Sequence, residues 1–161
     1  MVIREALFTS LDNEPLRFED ERGWLEVLYE NEDLVLKRSF SKSGVFRGLH
    51  WQRPPAGQIK IIRVVSGAIM DVVVDMTDTS RDIRTMHIDA SSGWICIPEN
   101  AAHGFYARED TIFEYVCHGA YRPDCEVALS VEPWLRTNLG DAGLILSAKD
   151  MAAQPLEAFR A

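Results

Sequence analysis

At 161 residues, with 47% apolar and 26% charged side chains, the chain has the length of one ordinary domain and a globular balance, which excludes a disordered or fibrous class. A formal charge of −8 with no Lys/Arg run gives a field that repels polyanions, so nucleic acid is not an expected partner. No apolar run approaches the ~20 residues of a membrane span, and Met1 to Glu5 carry acid without a signal-like apolar stretch, so no membrane partner is expected and the cytoplasm is the expected compartment. Cys96, Cys117 and Cys125 are odd in number, lack the close pairing of a zinc or redox motif, and read as reduced thiols.

In chain order, short β-branched and aromatic runs broken by Gly, Pro, Ser and Asp extend from Leu25 to Cys117 without a helical period between them. Strands are predicted at Leu34 to Phe40, Val45 to Gln52, Gln58 to Val65, Ala68 to Asp75, Thr85 to Ile88, Trp94 to Ile97, Gly104 to Ala107 and Thr111 to Cys117. The two runs around Ser66-Gly67 read as a hairpin, in which counting sets Val65 opposite Ala68, Ile62 opposite Asp71 and Lys60 opposite Val73. Gln58, Lys60, Asp71 and Asp75 then share one face, while Ile59, Ile61, Val72, Val74 and Arg63 share the other. Lys149 to Gln154 is the best helical stretch, with Ser147 at capping distance from Asp150. This is an all-β pattern over a single domain, 1–161, and it fits a sandwich, a jelly roll or a barrel equally.

Polar residues inside strand-like runs are informative because burying them unpaired costs free energy. Lys60 and Asp71 become diagonal neighbours in the hairpin, on a face that either meets water or lines a cavity; in a cavity the ammonium would stabilise an oxyanion. His50, in Arg47-Gly48-Leu49-His50-Trp51-Gln52, and His103, in Ile97-Pro98-Glu99-Asn100-Ala101-Ala102-His103-Gly104-Phe105, are either packed, hydrogen-bonded histidines or functional ones. Arg47 and His50 are three apart and would face opposite ways in a regular strand, but Gly48 permits a bulge that reconciles them. Tyr115 alternates with Phe113 and Cys117 and reads alone as a core aromatic. Asp150 alone reads as decoration of a helix first turn. A metal site is poorly supported, because two imidazoles without a third ligand hold a first-row metal weakly and position 52, where metal cupins place a second histidine, is Gln52.

Together these segments resemble the dTDP-4-dehydrorhamnose 3,5-epimerase family. The likeness is carried by Phe18-Glu19-Asp20-Glu21-Arg22-Gly23, Gly44 to Gln52, Gln58 to Val65, Gly67 to Asp75, Ile97 to Phe105, Tyr121-Arg122-Pro123 and Leu146-Ser147-Ala148-Lys149-Asp150. The resemblance implies a cupin jelly roll (double-stranded β-helix) with a short C-terminal helical segment, a homodimer, a nucleotide-sugar substrate, and neither metal nor organic cofactor. It implies His50 as general base with Asp150 as its partner, Lys60 beside the substrate carbonyl oxygen with Asp71 near it, and Tyr115 as general acid. It assigns Arg22, Arg47 and His103 to substrate binding, the arginines on phosphate, with Gln52, Tyr121 and Glu26 at the same pocket. Departures are also visible: Val35 and Lys37 stand where the family carries Gln and Asn, Glu26 falls one residue closer to Arg22 than usual, Val116 follows Tyr115 where Lys is common, and Cys125 to Asp141 is trimmed. A 3,4-ketoisomerase, a non-catalytic carbohydrate-binding module and a metal-dependent cupin remain the alternatives.

Overall fold

The computed structural model describes residues 15–140 and 143–159. Among them the β-branched runs form β1 (Leu16–Asp20), β2 (Gly23–Glu30), β3 (Leu34–Ser41), β4 (Phe46–Gln52), β5 (Ile59–Ser66), β6 (Ala68–Asp75), β7 (Ile83–Asp89), β8 (Ile95–Ile97), β9 (Ala101–Ala107), β10 (Thr111–His118), β11 (Glu126–Ser130) and β12 (Gln154–Pro155). Two helices, α1 (Glu132–Leu139) and α2 (Ala148–Met151), follow β11. The strands make two six-stranded sheets, ordered β1-β2-β3-β10-β5-β8 and β12-β11-β4-β9-β6-β7. From β3 to β6 the chain crosses between sheets at each step, the path of a jelly roll, as expected.

Between the sheets, Ile62, Val64, Ile97 and Phe113 meet Ile69, Ile88, Ala101 and Phe105, with the Phe105 and Phe113 rings 4.4 Å apart. The other face of the second sheet is also covered: Met70, Val72 and Val74 pack under Leu129, Val131, Leu135, Leu156 and Phe159. Double coverage explains why Ala68 to Asp75 reads as a nearly continuous apolar run. Each aliphatic side chain fully buried in these layers contributes about 1.5–3 kcal/mol.

The hairpin predicted at Ser66-Gly67 does not form. β5 pairs with β10 and β8, whereas β6 pairs with β9 and β7 in the opposite sheet. Lys60 therefore lies opposite Cys117 and Ile97, not Val73, and Asp71 lies opposite Phe105 and Met86, not Ile62. Two causes are visible. A β6 that is apolar on both faces needs two covering layers, which a ribbon with β5 would not supply. Gly67 adopts φ +85° and packs so closely that a Cβ would lie 2.5 Å from the Asp110 carbonyl oxygen, turning the chain from one sheet to the other. Ile59, Ile61 and Arg63 consequently lie on the outer face of the first sheet, while Val72 and Val74 are core, so the face predicted for them is split.

The other predicted strands are present with shifted ends. β1, β2, β11, β12 and α1 fall where no element is predicted. The helix predicted at Lys149 to Gln154 is a single turn, Ala148–Met151, whose Asp150 amide donates to Ser147 Oγ at 3.0 Å as anticipated.

The bulge foreseen at Gly48 is present. The β4–β9 register shifts between Arg47 and His50, with Gly48 at φ +125°, and both side chains reach the inner face. A Cβ on Gly48 would lie 2.6 Å from Gly104 Cα and 2.8 Å from the His103 carbonyl oxygen, so the two strands touch backbone to backbone there. Gly48→Ala combines a strained φ with overpacking and is expected to lower stability by about 2–5 kcal/mol, read as a fall in thermal midpoint. Unchanged melting would remove the bulge from the account.

Candidate active site

At the end of the inter-sheet space that the core leaves unfilled lies a cavity of about 300 Å³. Its walls carry Arg22, Lys37, Arg47, His50, Lys60, His103, Tyr115, Glu126, Ser147 and Lys149 over an apolar floor of Leu25, Ile62, Phe105 and Phe113. His50 and His103 come from β4 and β9 of one sheet; Lys60 and Tyr115 come from β5 and β10 of the other. Inward alternation puts Lys60 in line with Ile62 and Val64, and Tyr115 in line with Phe113, whose ring is 5.6 Å away.

His50 Nε2 lies 2.8 Å from Asp150 Oδ1. Burial pushes the Asp150 carboxyl pKa upward, but the His50 hydrogen bond and charge, the Ser147 contact and the Arg22 charge outweigh it, and the net shift is downward. An ionised carboxylate only accepts, so Nε2 carries a proton, and in the neutral ring the lone pair is then on Nδ1. Asp150 Oδ2 is buried without a hydrogen bond, with Arg22 Nη1 at 3.7 Å. Arg22 itself is held by Asp20 at 2.6 Å.

Lys60 Nζ donates to the His50 carbonyl oxygen at 2.9 Å, which ties the two sheets together at the cavity. Burial pushes its pKa down and Lys37 adds to that, while Glu126 and Asp71 oppose it. Asp71 Oδ1 is 2.7 Å from His103 Nε2, so a second buried His–Asp pair stands beside the first. Burial also drives the Tyr115 phenol pKa well up, with Arg47 and Arg22 pulling it back. Arg47 donates to Ser41 Oγ at 2.9 Å and to the Phe40 carbonyl at 3.1 Å, which fixes its guanidinium; burial pushes its pKa down.

The structure brings His50, Lys60, Tyr115, Arg22, Arg47 and His103 to one cavity, with Asp150 and Asp71 directly behind the imidazoles. Three expected residues do not line it. Gln52 is buried and spent on backbone, donating to the Ala56 and Ala120 carbonyls and accepting from the Arg122 amide. Glu26 alternates away from inward-facing Leu25 and pairs with Arg17 at 3.1 Å. Tyr121 stands at the rim, its hydroxyl donating to Glu126 Oε2 at 3.0 Å and its pKa pushed up to about 12 by burial and by the Glu126 charge.

Sequence reasoning missed Glu126 and Lys149, which face each other at 2.6 Å on the cavity wall. The available signal was the alternation in Glu126–Ser130, where Val127 and Leu129 pack under α1 and leave Glu126 on the opposite face. Among the described residues no three His, Cys, Asp or Glu side chains cluster as a metal site.

Fold and site define the class: a jelly-roll domain whose two sheets close on a cavity lined by imidazole, phenol and cationic side chains. The family model for dTDP-4-dehydrorhamnose 3,5-epimerase matches residues 7–158. The dTDP-4-dehydrorhamnose 3,5-epimerase of Methanothermobacter thermautotrophicus is 34% identical, over 92% of this chain and 92% of its own length. Among solved structures, the Bacillus anthracis dTDP-4-dehydrorhamnose 3,5-epimerase with TDP and PPi bound superposes with a TM-score of 0.68 at 30% identity, covering 89% of this chain and 91% of that one. The Legionella pneumophila dTDP-6-deoxy-D-glucose-3,5-epimerase in complex with dTDP-4-keto-L-rhamnose gives a TM-score of 0.67 at 27% identity, covering 91% and 87%. The chain belongs to the dTDP-4-dehydrorhamnose 3,5-epimerase family, a family of isomerases.

Asp150→Asn removes the carboxylate charge and can set an amide N–H donor against Nε2, which favours the other tautomer. It is expected to lower turnover about 10²–10⁴-fold with the fold intact by circular dichroism, checked by steady-state kinetics. Turnover within threefold of wild type would remove Asp150 from the dyad.

Proposed function

We propose that this cavity epimerises a dTDP-4-keto-6-deoxy sugar at carbon 3 and/or carbon 5 without a metal or organic cofactor. The observation that carries the reading is the meeting of the His50 imidazole and the Lys60 ammonium in one cavity, with Tyr115 on the facing sheet. A hydrogen beside a ketone is acidic because the electron pair left behind spreads onto the carbonyl oxygen. His50 takes that proton, Asp150 stabilises the resulting imidazolium, and Lys60 supplies positive charge to the enolate oxygen, a contribution of about 3–4 kcal/mol for a preorganised donor. Tyr115 returns a proton from the opposing wall, and delivery to the other face inverts the carbon. Lys60, half-buried and held by a neutral carbonyl, has no carboxylate within ion-pair distance among the described residues, so its charge is free for the oxyanion.

Arg22, Arg47 and His103 bind the nucleotide sugar, with the guanidinium groups on the diphosphate. This net-acidic chain concentrates cations in the cavity, which supports an anionic substrate. A homodimer is supported by the outer face of the first sheet. There Ile59, Ile61 and Val65 are exposed, and Arg38 and Arg63 both clasp Glu114 at 2.6 Å. Unpaired thiols at Cys96, Cys117 and Cys125 support a reducing compartment, the cytoplasm.

In heavy water, dTDP-4-dehydro-6-deoxyglucose is expected to gain deuterium beside the ketone with the wild-type chain and to yield product with its ketone still at carbon 4. His50→Asn should abolish uptake, whereas Tyr115→Phe should keep uptake and lose inverted product, both read by NMR. Uptake unaffected by His50→Asn would discard the assignment; a ketone moved to carbon 3 would establish the ketoisomerase instead.

A further inference from the structure

Lys37 is a cavity cation that the proposed reaction leaves without a task. It lies on β3, opposite Tyr115 of β10 and on the inner face with Ser39 and Ser41. Its ammonium stands 5.9 Å from the centroid of the Tyr115 ring and 5.7 Å from that of Tyr121, between the proposed acid and the rim. Among the described residues it makes no ion pair. The carboxylates at the cavity are already engaged: Glu126 by Lys149, Asp150 by His50 and Asp71 by His103.

We propose that Lys37 is a specificity-determining residue that takes an unesterified diphosphate oxygen of the substrate, between the two tyrosine rings. Its charge adds to that of Lys60, whose pKa burial pushes down, and among the described residues neither ammonium makes an ion pair in this partly desolvated space. Such an arrangement is costly when empty and is relieved by a dianion, whereas a neutral ligand would leave the repulsion in place. The ring faces hold the cation by their quadrupoles without neutralising it, which keeps it available to an incoming anion. The identity of the anion rests on the epimerase reading; the need for an anion at Lys37 rests on the cavity itself.

The test compares the wild-type chain with Lys37→Met, close in length without charge, and with Lys37→Arg. Binding of dTDP, inorganic pyrophosphate and thymidine is measured by calorimetry, alongside steady-state epimerisation. Lys37→Met should weaken dTDP and pyrophosphate by a common factor of roughly ten to a hundred, the range of one hydrogen bond to a charged group, while thymidine binding stays constant. KM should rise by a similar factor with kcat within about threefold, and Lys37→Arg should recover most of the loss. Equal weakening of thymidine and dTDP, or a fall in kcat alone, would overturn the proposal in favour of Lys37 shaping the tyrosines. Unchanged dTDP affinity, in the variant or because the wild type binds none, would also overturn it. Wild-type protein that binds dTDP in a Lys37-dependent way yet exchanges no hydrogen would overturn the epimerase reading and leave this one standing.

Discussion

The contact on which the site depends is the 2.8 Å hydrogen bond between His50 and Asp150. It joins strand β4 of the second sheet to a one-turn helix a hundred residues later, and so links the jelly roll to the C-terminal segment that covers it. Each partner depends on a local device. His50 reaches the inner face only because the Gly48 bulge shifts the β4 register, and Asp150 is presented by a turn that Ser147 caps. Burial of the carboxylate strengthens its hold on the imidazole, since little water competes for it. Lys60, reaching from the opposite sheet to the His50 carbonyl, fixes the same strand from the other side.

Electrostatics sets the second constraint. A chain of net charge −8 gathers Arg22, Lys37, Arg47, Lys60 and Lys149 around one cavity, from both sheets and the C-terminal segment. Such a cavity focuses an anion that the rest of the surface repels, and the apolar floor raises the strength of each contact made there. The enolate proposed here and the diphosphate proposed beside it are both anions, so one arrangement serves binding and chemistry.

Much of this was legible in the residues, for physical reasons. Period-2 runs such as Thr111 to Cys117 declare a strand and also its inward face, and that alternation placed Tyr115 beside Phe113. Gly48 permitted a bulge, and the three-residue spacing of Arg47 and His50 gave a reason for one. The pairing of β5 and β6 was not legible: a Ser-Gly break between two apolar runs marks a hairpin and an inter-sheet crossover alike, and only the covering layer on β6 decides between them. Glu126 and Lys149 were hidden for a similar reason, because their meeting depends on where β11 joins the second sheet. Gln52 and Glu26 show the opposite error. A polar residue near a motif can be consumed by backbone carbonyls or turned outward by one step of alternation.

The central claim is that Asp150 holds His50 protonated at Nε2 so that Nδ1 is the base. Nitrogen-15 NMR of the histidine rings at neutral pH tests it most directly, with Asp150→Asn used to assign the His50 signals. A protonated Nε2 and a pyridine-like Nδ1 for His50 are expected. A His50 ring carrying its proton on Nδ1, with Nε2 unprotonated, would contradict the claim.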